Sequence, residues 1–153
     1  MDTALDLSFA DGSYRFWLPL PQALELERRC GGKSLFQMYD QIGGGLAIDG
    51  EAPVYVGGGA AMVTDVREII RLALIGGNSC IVDGEEKQVG PMTAKQLVDD
   101  YVYPARPFTE SLHVAWSILH AAITGISLKK KAGAEKPKSP KRSVKAKSSA
   151  TAG

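Results

Sequence analysis

The sequence predicts an α+β fold that is mostly α-helical, with an N-terminal β-hairpin packed on a bundle of about four to five helices and a disordered basic C-terminal tail. Three observations predict it. An alternating apolar–polar run opens the chain, as in a half-buried strand. Apolar residues then recur with helical spacing between Gly and Pro breaks. The segment 129–153 has too few large apolar residues to offset its ordering entropy, so we expect one domain over 1–128 and a disordered tail over 129–153.

The hairpin is predicted from two short runs separated by a turn signal. Leu5–Phe9 alternates between apolar and polar residues, and Tyr14–Leu18 returns after Asp11-Gly12. Segment 78–92 predicts a second small hairpin, and segment 46–62 is expected to be extended or loop.

The helices are predicted from periodicity and from their start and stop signals. The expected helices run over about 22–30, over 35–42 after a Ser34 cap, from Thr64 or Asp65 to Gly76, from Thr93 to about Tyr103, and from Pro107 to about Gly125. Capping boxes are predicted at two of these starts, where Asp65 precedes Glu68 and Thr93 precedes Gln96 by three residues. The third has the clearest pattern, with an apolar stripe at Val66, Ile69, Ile70, Ala73 and Leu74. The last is expected to bury Leu112, Trp116, Leu119 and Ile123.

Composition and charge exclude several classes of protein. No apolar run approaches the roughly 18 residues of a membrane span, so no membrane association is expected. The acidic start lacks the pattern of a signal peptide, and two cysteines are too few for a disulfide framework, which together predict a cytoplasmic protein. The net charge of +1 conceals an asymmetry, because 129–153 carries nine bases and one acid while 1–128 carries nine bases and sixteen acids.

No motif in the sequence predicts catalysis, a metal or a cofactor. Gly32-Lys33-Ser34 resembles the end of a phosphate-binding loop, but Glu27 stands where the first glycine belongs, so a helix stop followed by an N-cap is favoured. His113 and His120 are seven residues apart, which favours a surface or boundary role over a metal pair. Cys30 and Cys80 are expected to be buried small hydrophobic residues.

One segment carries a family resemblance. Asp65–Gly77 resembles the central signature of the small tail proteins of gene transfer agents and related prophages, in which an Asp-Val-Arg-Glu helix leads into Leu-Ile-Gly-Gly. Matching segments lie at 24–27, 32–35, 94–102, 106–111 and 121–125, so the resemblance spans residues 13–126. Relative to the compact family pattern, 46–62 and 78–91 look like insertions.

The resemblance implies a non-enzymatic tail assembly chaperone that binds the tape-measure protein in the bacterial host cytoplasm, with the tail tube protein as a later partner and self-association as a further option. The alternative is a structural tail tube or tube-associated subunit that stays in the particle. A third interpretation is a small regulatory or nucleic-acid-associated protein whose tail binds phosphates. As partner-binding residues the sequence offers Ile69, Ile70, Leu74, Trp116 and Leu119, although we favour a place in the domain's own core for most of them.

The basic tail admits two uses. Lys129, Lys130, Lys131, Lys141 and Arg142 are candidate contacts to phosphate or to a protein partner. Aromatic residues that could stack on bases are absent from 129–153, so any nucleic-acid contact is expected to be non-specific. A solvated linker or partner-contact segment is the favoured interpretation.

Overall fold

The structure, a computed structural model, describes residues 2–49 and 52–126. It divides into two units, of which the larger is Thr3–Gly125. In chain order the elements are β1 (Leu5–Phe9), β2 (Gly12–Phe16), α1 (Leu20–Arg29), α2 (Leu35–Gly43), β3 (Leu46–Asp49), β4 (Ala52–Tyr55), α3 (Val63–Gly77), β5 (Cys80–Val82), β6 (Glu85–Lys87), α4 (Pro91–Tyr101) and α5 (Phe108–Thr124). The predicted α+β, mostly helical class is confirmed.

An antiparallel sheet of order β1-β2-β5-β6 forms one side of the larger unit. Its inner face carries Phe9, Tyr14 and Phe16, and the ring of Phe9 meets the other two edge-on at centroid distances of 5.7 and 5.5 Å. Both hairpins were expected, but their union in one sheet was not. The sheet forms because β5 pairs with β2, with Ser13 opposite Ile81.

The first turn differs in detail from the prediction. The positive backbone angle falls at Ala10, with φ of 53°, and Gly12 already belongs to β2. A Cβ at Gly12 would lie 2.2 Å from the Ile81 carbonyl oxygen. Gly12 is therefore required by the close approach of β5 rather than by the turn.

Helix α3 is the centre of the fold, because β2, α1, α4 and α5 all pack on it. Its predicted stripe is enclosed in the hydrophobic core, and Leu72 on another face is buried as well. Its last turn lies against the chain between β2 and α1, where the Trp17 N–H donates to the Ala73 carbonyl at 3.0 Å. Added Cβ atoms at Gly76 and Gly77 would lie 2.2 and 2.0 Å from the carbonyl oxygens of Trp17 and Arg15. The glycine pair thus permits backbone contact.

Two predicted capping boxes are wrong. α3 begins at Val63 and α4 at Pro91, and neither has a side-chain hydrogen bond at its N-cap. Asp65 and Thr93 each stand third in their helix, inside the first turn. Pro91 explains the early start of α4, since its missing N–H has no partner in a first turn. The predicted Ser34 cap is confirmed, with its hydroxyl accepting from the Gln37 N–H at 3.1 Å.

The segment between α2 and α3, which was expected to be extended or loop, forms the two-stranded sheet β3–β4. A hydrogen bond closes the base of this hairpin, in which the Val56 N–H donates to the Gly45 carbonyl at 2.8 Å. A Cβ at Gly45 would lie 2.8 Å from the Gly59 Cα, so the two ends of the hairpin meet through glycines. In the smaller unit, Asp2 and Ile126 form an antiparallel bridge with hydrogen bonds of 2.8 and 2.6 Å.

Candidate functional site

Four of the predicted partner-binding residues lie in the core. Ile69, Ile70, Leu74 and Leu119 have no exposed surface, so these side chains pack in the domain's own core. Trp116 is half-buried. The helical stripe that suggested docking faces the core, in agreement with the core role that we favoured for most of these residues.

Trp116 belongs to a stack of rings between α2 and α5. Its ring stacks on His120 with centroids 4.6 Å apart, and Tyr39 lies beside both rings. The Tyr39 hydroxyl and the His120 Nδ1 are 2.7 Å apart, within hydrogen-bond distance. His113 is exposed, and its carbonyl accepts from the Ser117 hydroxyl at 2.9 Å. The stack is therefore an inter-helix contact within the fold.

The two cysteines are buried and unpaired. Burial raises the pKa of the Cys30 thiol to about 12, and the nearby Asp65 carboxylate adds to the rise. Such a thiol stays protonated near neutral pH and is a poor nucleophile or metal ligand. Within the described ranges no group of three or more His, Cys, Asp or Glu side chains is placed to hold a metal ion.

Lys33 joins the α1–α2 loop to the start of α3. Its ammonium donates to the Asp65 carboxylate and lies 3.2 Å from the Met62 sulfur. Since the lysine is engaged by a carboxylate and Ser34 by the backbone of α2, Gly32-Lys33-Ser34 is a helix stop and cap, as favoured from the sequence.

An open groove, which we call the basic groove, lies between α1, α3 and α4 and has a volume of about 530 Å³. Three of its cations come from the outer faces of α1 and α3 and one from α4. The residues that line it are Arg29, Arg67, Glu68, Arg71, Pro91, Met92, Lys95, Val98 and Asp99.

Shared ion pairs hold the cations of the basic groove. Asp99 accepts from Arg67 at 2.7 Å and from Lys95 at 2.8 Å. Glu68 accepts from Arg71 at 2.7 Å and lies 3.9 Å from Arg29. Lys95, and then Arg67, lower the pKa of the Asp99 carboxyl, so it stays ionised at neutral pH. Each carboxylate serves two cations, so the lining has four cations and two carboxylates. Arg29 also pairs with Glu25, just outside the lining, which offsets one of the two surplus positive charges.

A second, smaller cavity of about 200 Å³ lies between the β3–β4 hairpin and the start of α5. Apolar side chains supply most of its lining. They include Ile42, Tyr55, Ala61, Phe108 and Leu112. It has room for one large side chain and carries no charged group.

The sequence analysis missed the residues of the basic groove. Arg67 and Arg71 are one turn apart on α3, a spacing visible in the sequence. Their meeting with α1 and α4 is a tertiary feature that local patterns do not reveal. Met92, with 85% of its surface exposed, gave no sequence signal at all. The tail candidates Lys129, Lys130, Lys131, Lys141 and Arg142 lie outside the described residues.

Comparisons of the chain with protein-family models, curated proteins and solved structures found no match. In the part of the chain that the structure describes, no helix combines the length and the apolar character needed to cross a membrane.

Proposed function

We propose that this chain is a non-enzymatic tail assembly chaperone of a phage, prophage or gene transfer agent-like particle, acting in the host cytoplasm on the tape-measure protein. The resemblance over residues 13–126 carries the proposal. Its central segment coincides with α3, on which four other elements pack. The resemblance therefore lies in residues that determine the fold rather than in exposed surface residues.

The surface suits binding better than chemistry. The buried cysteine with a raised pKa and the stacked histidine are both engaged in packing. The basic groove, by contrast, is open and combines charges with an exposed Met92. Methionine adapts to varied apolar partners, and grooves between helices accept amphipathic helices. A chaperone for a long helical protein needs such a reusable, shallow site.

The competing proposal is a tube or tube-associated subunit that remains in the particle. A tube subunit would need a sheet that can join its neighbours into a ring. Here the outer strand β6 is only Glu85–Lys87, with all three side chains charged and exposed. The short charged edge at β6 opposes pairing through that side of the sheet, which favours the chaperone over a tube subunit that would join there. The opposite edge, β1, is longer and alternates apolar and polar residues.

The proposal is tested by co-expression with the tape-measure protein encoded in the same genome. We expect the tape-measure protein to become soluble and to elute from size exclusion as a complex with several copies of this chain. The same co-expression with residues 1–128 alone shows whether the tail contributes to binding. An insoluble tape-measure protein, with this chain eluting alone or polymerising into tubes, would contradict the proposal.

A further inference from the structure

The basic groove stands out because its charge opposes that of the domain around it. Residues 1–128 carry sixteen acids against nine bases. The lining of the groove gathers four of those bases with two acids, and Glu25 pairs with Arg29 at the α1 edge, so one positive charge remains in surplus. A positive site on a negative domain favours an anionic occupant and lowers the affinity for cationic ones. The chain's own tail, with nine bases in 129–153, has the wrong sign to fill it.

The groove's cations differ in how firmly they are held. The Arg67 and Arg71 side chains are 26% and 20% exposed, so they are fixed within the groove. Arg67 is also anchored by donating to the Tyr103 carbonyl at 2.6 Å. Lys95 is 73% exposed and stands at the rim. Fixed guanidinium groups at the base lose little further side-chain entropy when a carboxylate binds.

The spacing of the cations indicates the form of the occupant. Arg67 and Arg71 are separated by one helical turn, about 6 Å along α3. Carboxylates at positions i and i+4 of a partner helix have the same separation. The lining of α4 from Pro91 to Asp99 extends about 12 Å, or two turns of a helix laid along it. Met92 at one end offers an apolar contact beside the charges.

We infer that the basic groove binds an amphipathic helical segment of the partner that carries Asp or Glu at i and i+4 next to an apolar residue. This inference rests on the proposed function and names the chemistry of the tape-measure segment that would dock. Arg67 and Arg71 receive the carboxylates, Lys95 closes over them, and Met92 contacts the apolar residue.

The test uses exposed groove residues, whose replacement leaves the core intact. Peptides covering the acidic helices of the tape-measure protein are titrated against the full chain and against Lys95→Glu. We expect Lys95→Glu to weaken binding about tenfold at about 50 mM salt, and by only two- to threefold at about 500 mM, because salt screens exposed charges. Lys87→Glu on β6 makes the same charge change outside the groove and is expected to bind like the parent chain. Met92→Ser is expected to weaken binding about threefold, since it removes one exposed apolar contact.

A second probe separates this inference from the proposed function. It is a designed amphipathic peptide of about 20 residues with Glu at i and i+4, together with its Lys counterpart. If tape-measure segments bind but Lys95→Glu behaves like Lys87→Glu, the groove inference is overturned while the proposed function stands. If only the designed Glu peptide binds, in a Lys95-dependent way, the groove chemistry is supported and the tape-measure assignment fails. Binding of a DNA duplex that depends on Lys95, without binding of either acidic peptide, would overturn the inference in favour of a nucleic-acid partner.

Discussion

Replacing Lys33 by methionine is expected to destabilise the domain by about 3 kcal/mol. The Lys33 and Asp65 side chains form an ion pair in which they are 16% and 5% exposed. Methionine keeps the apolar stem of the lysine and its volume, so the change removes the charge and leaves little cavity. The Asp65 carboxylate is then enclosed without its cation.

The magnitude follows from two opposing effects. Removing one partner of a buried ion pair costs roughly 3–5 kcal/mol, because the remaining charge stays desolvated. Asp65 lies in the first turn of α3, where the helix dipole stabilises a negative charge by about 0.3–1 kcal/mol. The dipole offsets part of the loss, which places the expected cost near the lower end of the range. Lys95→Met breaks an exposed pair with Asp99 and is expected to cost much less, because solvent screens exposed charges.

The assay is urea unfolding followed by circular dichroism, on Lys33→Met, Lys95→Met and the parent chain. Adding Asp65→Asn to Lys33→Met is expected to recover more than half of the lost free energy of unfolding, because a neutral amide is less costly to bury than a lone carboxylate. Equal free energies of unfolding for Lys33→Met and Lys95→Met would refute the reasoning, and so would further destabilisation by Asp65→Asn.

Three further predictions concern backbone contact, burial and charge. Gly76→Ala is expected to destabilise the domain by about 2 kcal/mol or more, although alanine favours helices, because its Cβ would lie 2.2 Å from a backbone oxygen. Gly90→Ala, which meets no atom within 4 Å, is the control in the same unfolding assay; a stabilised Gly76→Ala would contradict the packing. The Cys30 thiol, with its pKa raised to about 12, is expected to react with a disulfide reagent at pH 8 only on unfolding; fast reaction of both thiols in the native protein would disprove its burial. Hydrogen bonds from Arg28, and then from Arg29, lower the pKa of Glu25 from 4.5 to about 2. The ionised carboxylate therefore stabilises the fold above pH 4.5, and this stabilisation is lost as the pH falls toward 2. The free energy of unfolding of Glu25→Gln is therefore expected to fall less than that of the parent chain as the pH is lowered across that range. An unchanged pH dependence would contradict the prediction.

Local signals in the sequence predicted most of the elements. The stripe of α3 and the Ser34 cap were readable because both depend on neighbours within one or two turns. The N-terminal hairpin was readable for the same reason. Helix starts were less reliable, since Thr93 has capping spacing with Gln96 but Pro91 begins the helix two residues earlier.

Contacts between segments far apart in the chain could not be predicted from the sequence. The pairing of Ser13 with Ile81 links strands that a long stretch of helices separates, and no local pattern marks it. Asp65 is the buried ion-pair partner of Lys33. The sequence did not indicate this pair, because the spacing of Asp65 and Glu68 indicated a helix cap. For the candidate site, the sequence left two options open for one physical reason. An apolar stripe identifies the face of a helix that is buried, but it does not show whether the domain's own core or a partner covers that face.

We propose that this chain binds the tape-measure protein during assembly and then leaves. The most direct measurement is quantitative mass spectrometry of the ratio of this chain to the tape-measure protein, in assembly intermediates captured from lysate and in purified finished particles. The account predicts several copies per tape-measure protein in the intermediates and almost none in the particles. A high ratio in the finished particles would contradict it in favour of a structural tail subunit, and absence from both samples would remove the chain from tail assembly altogether.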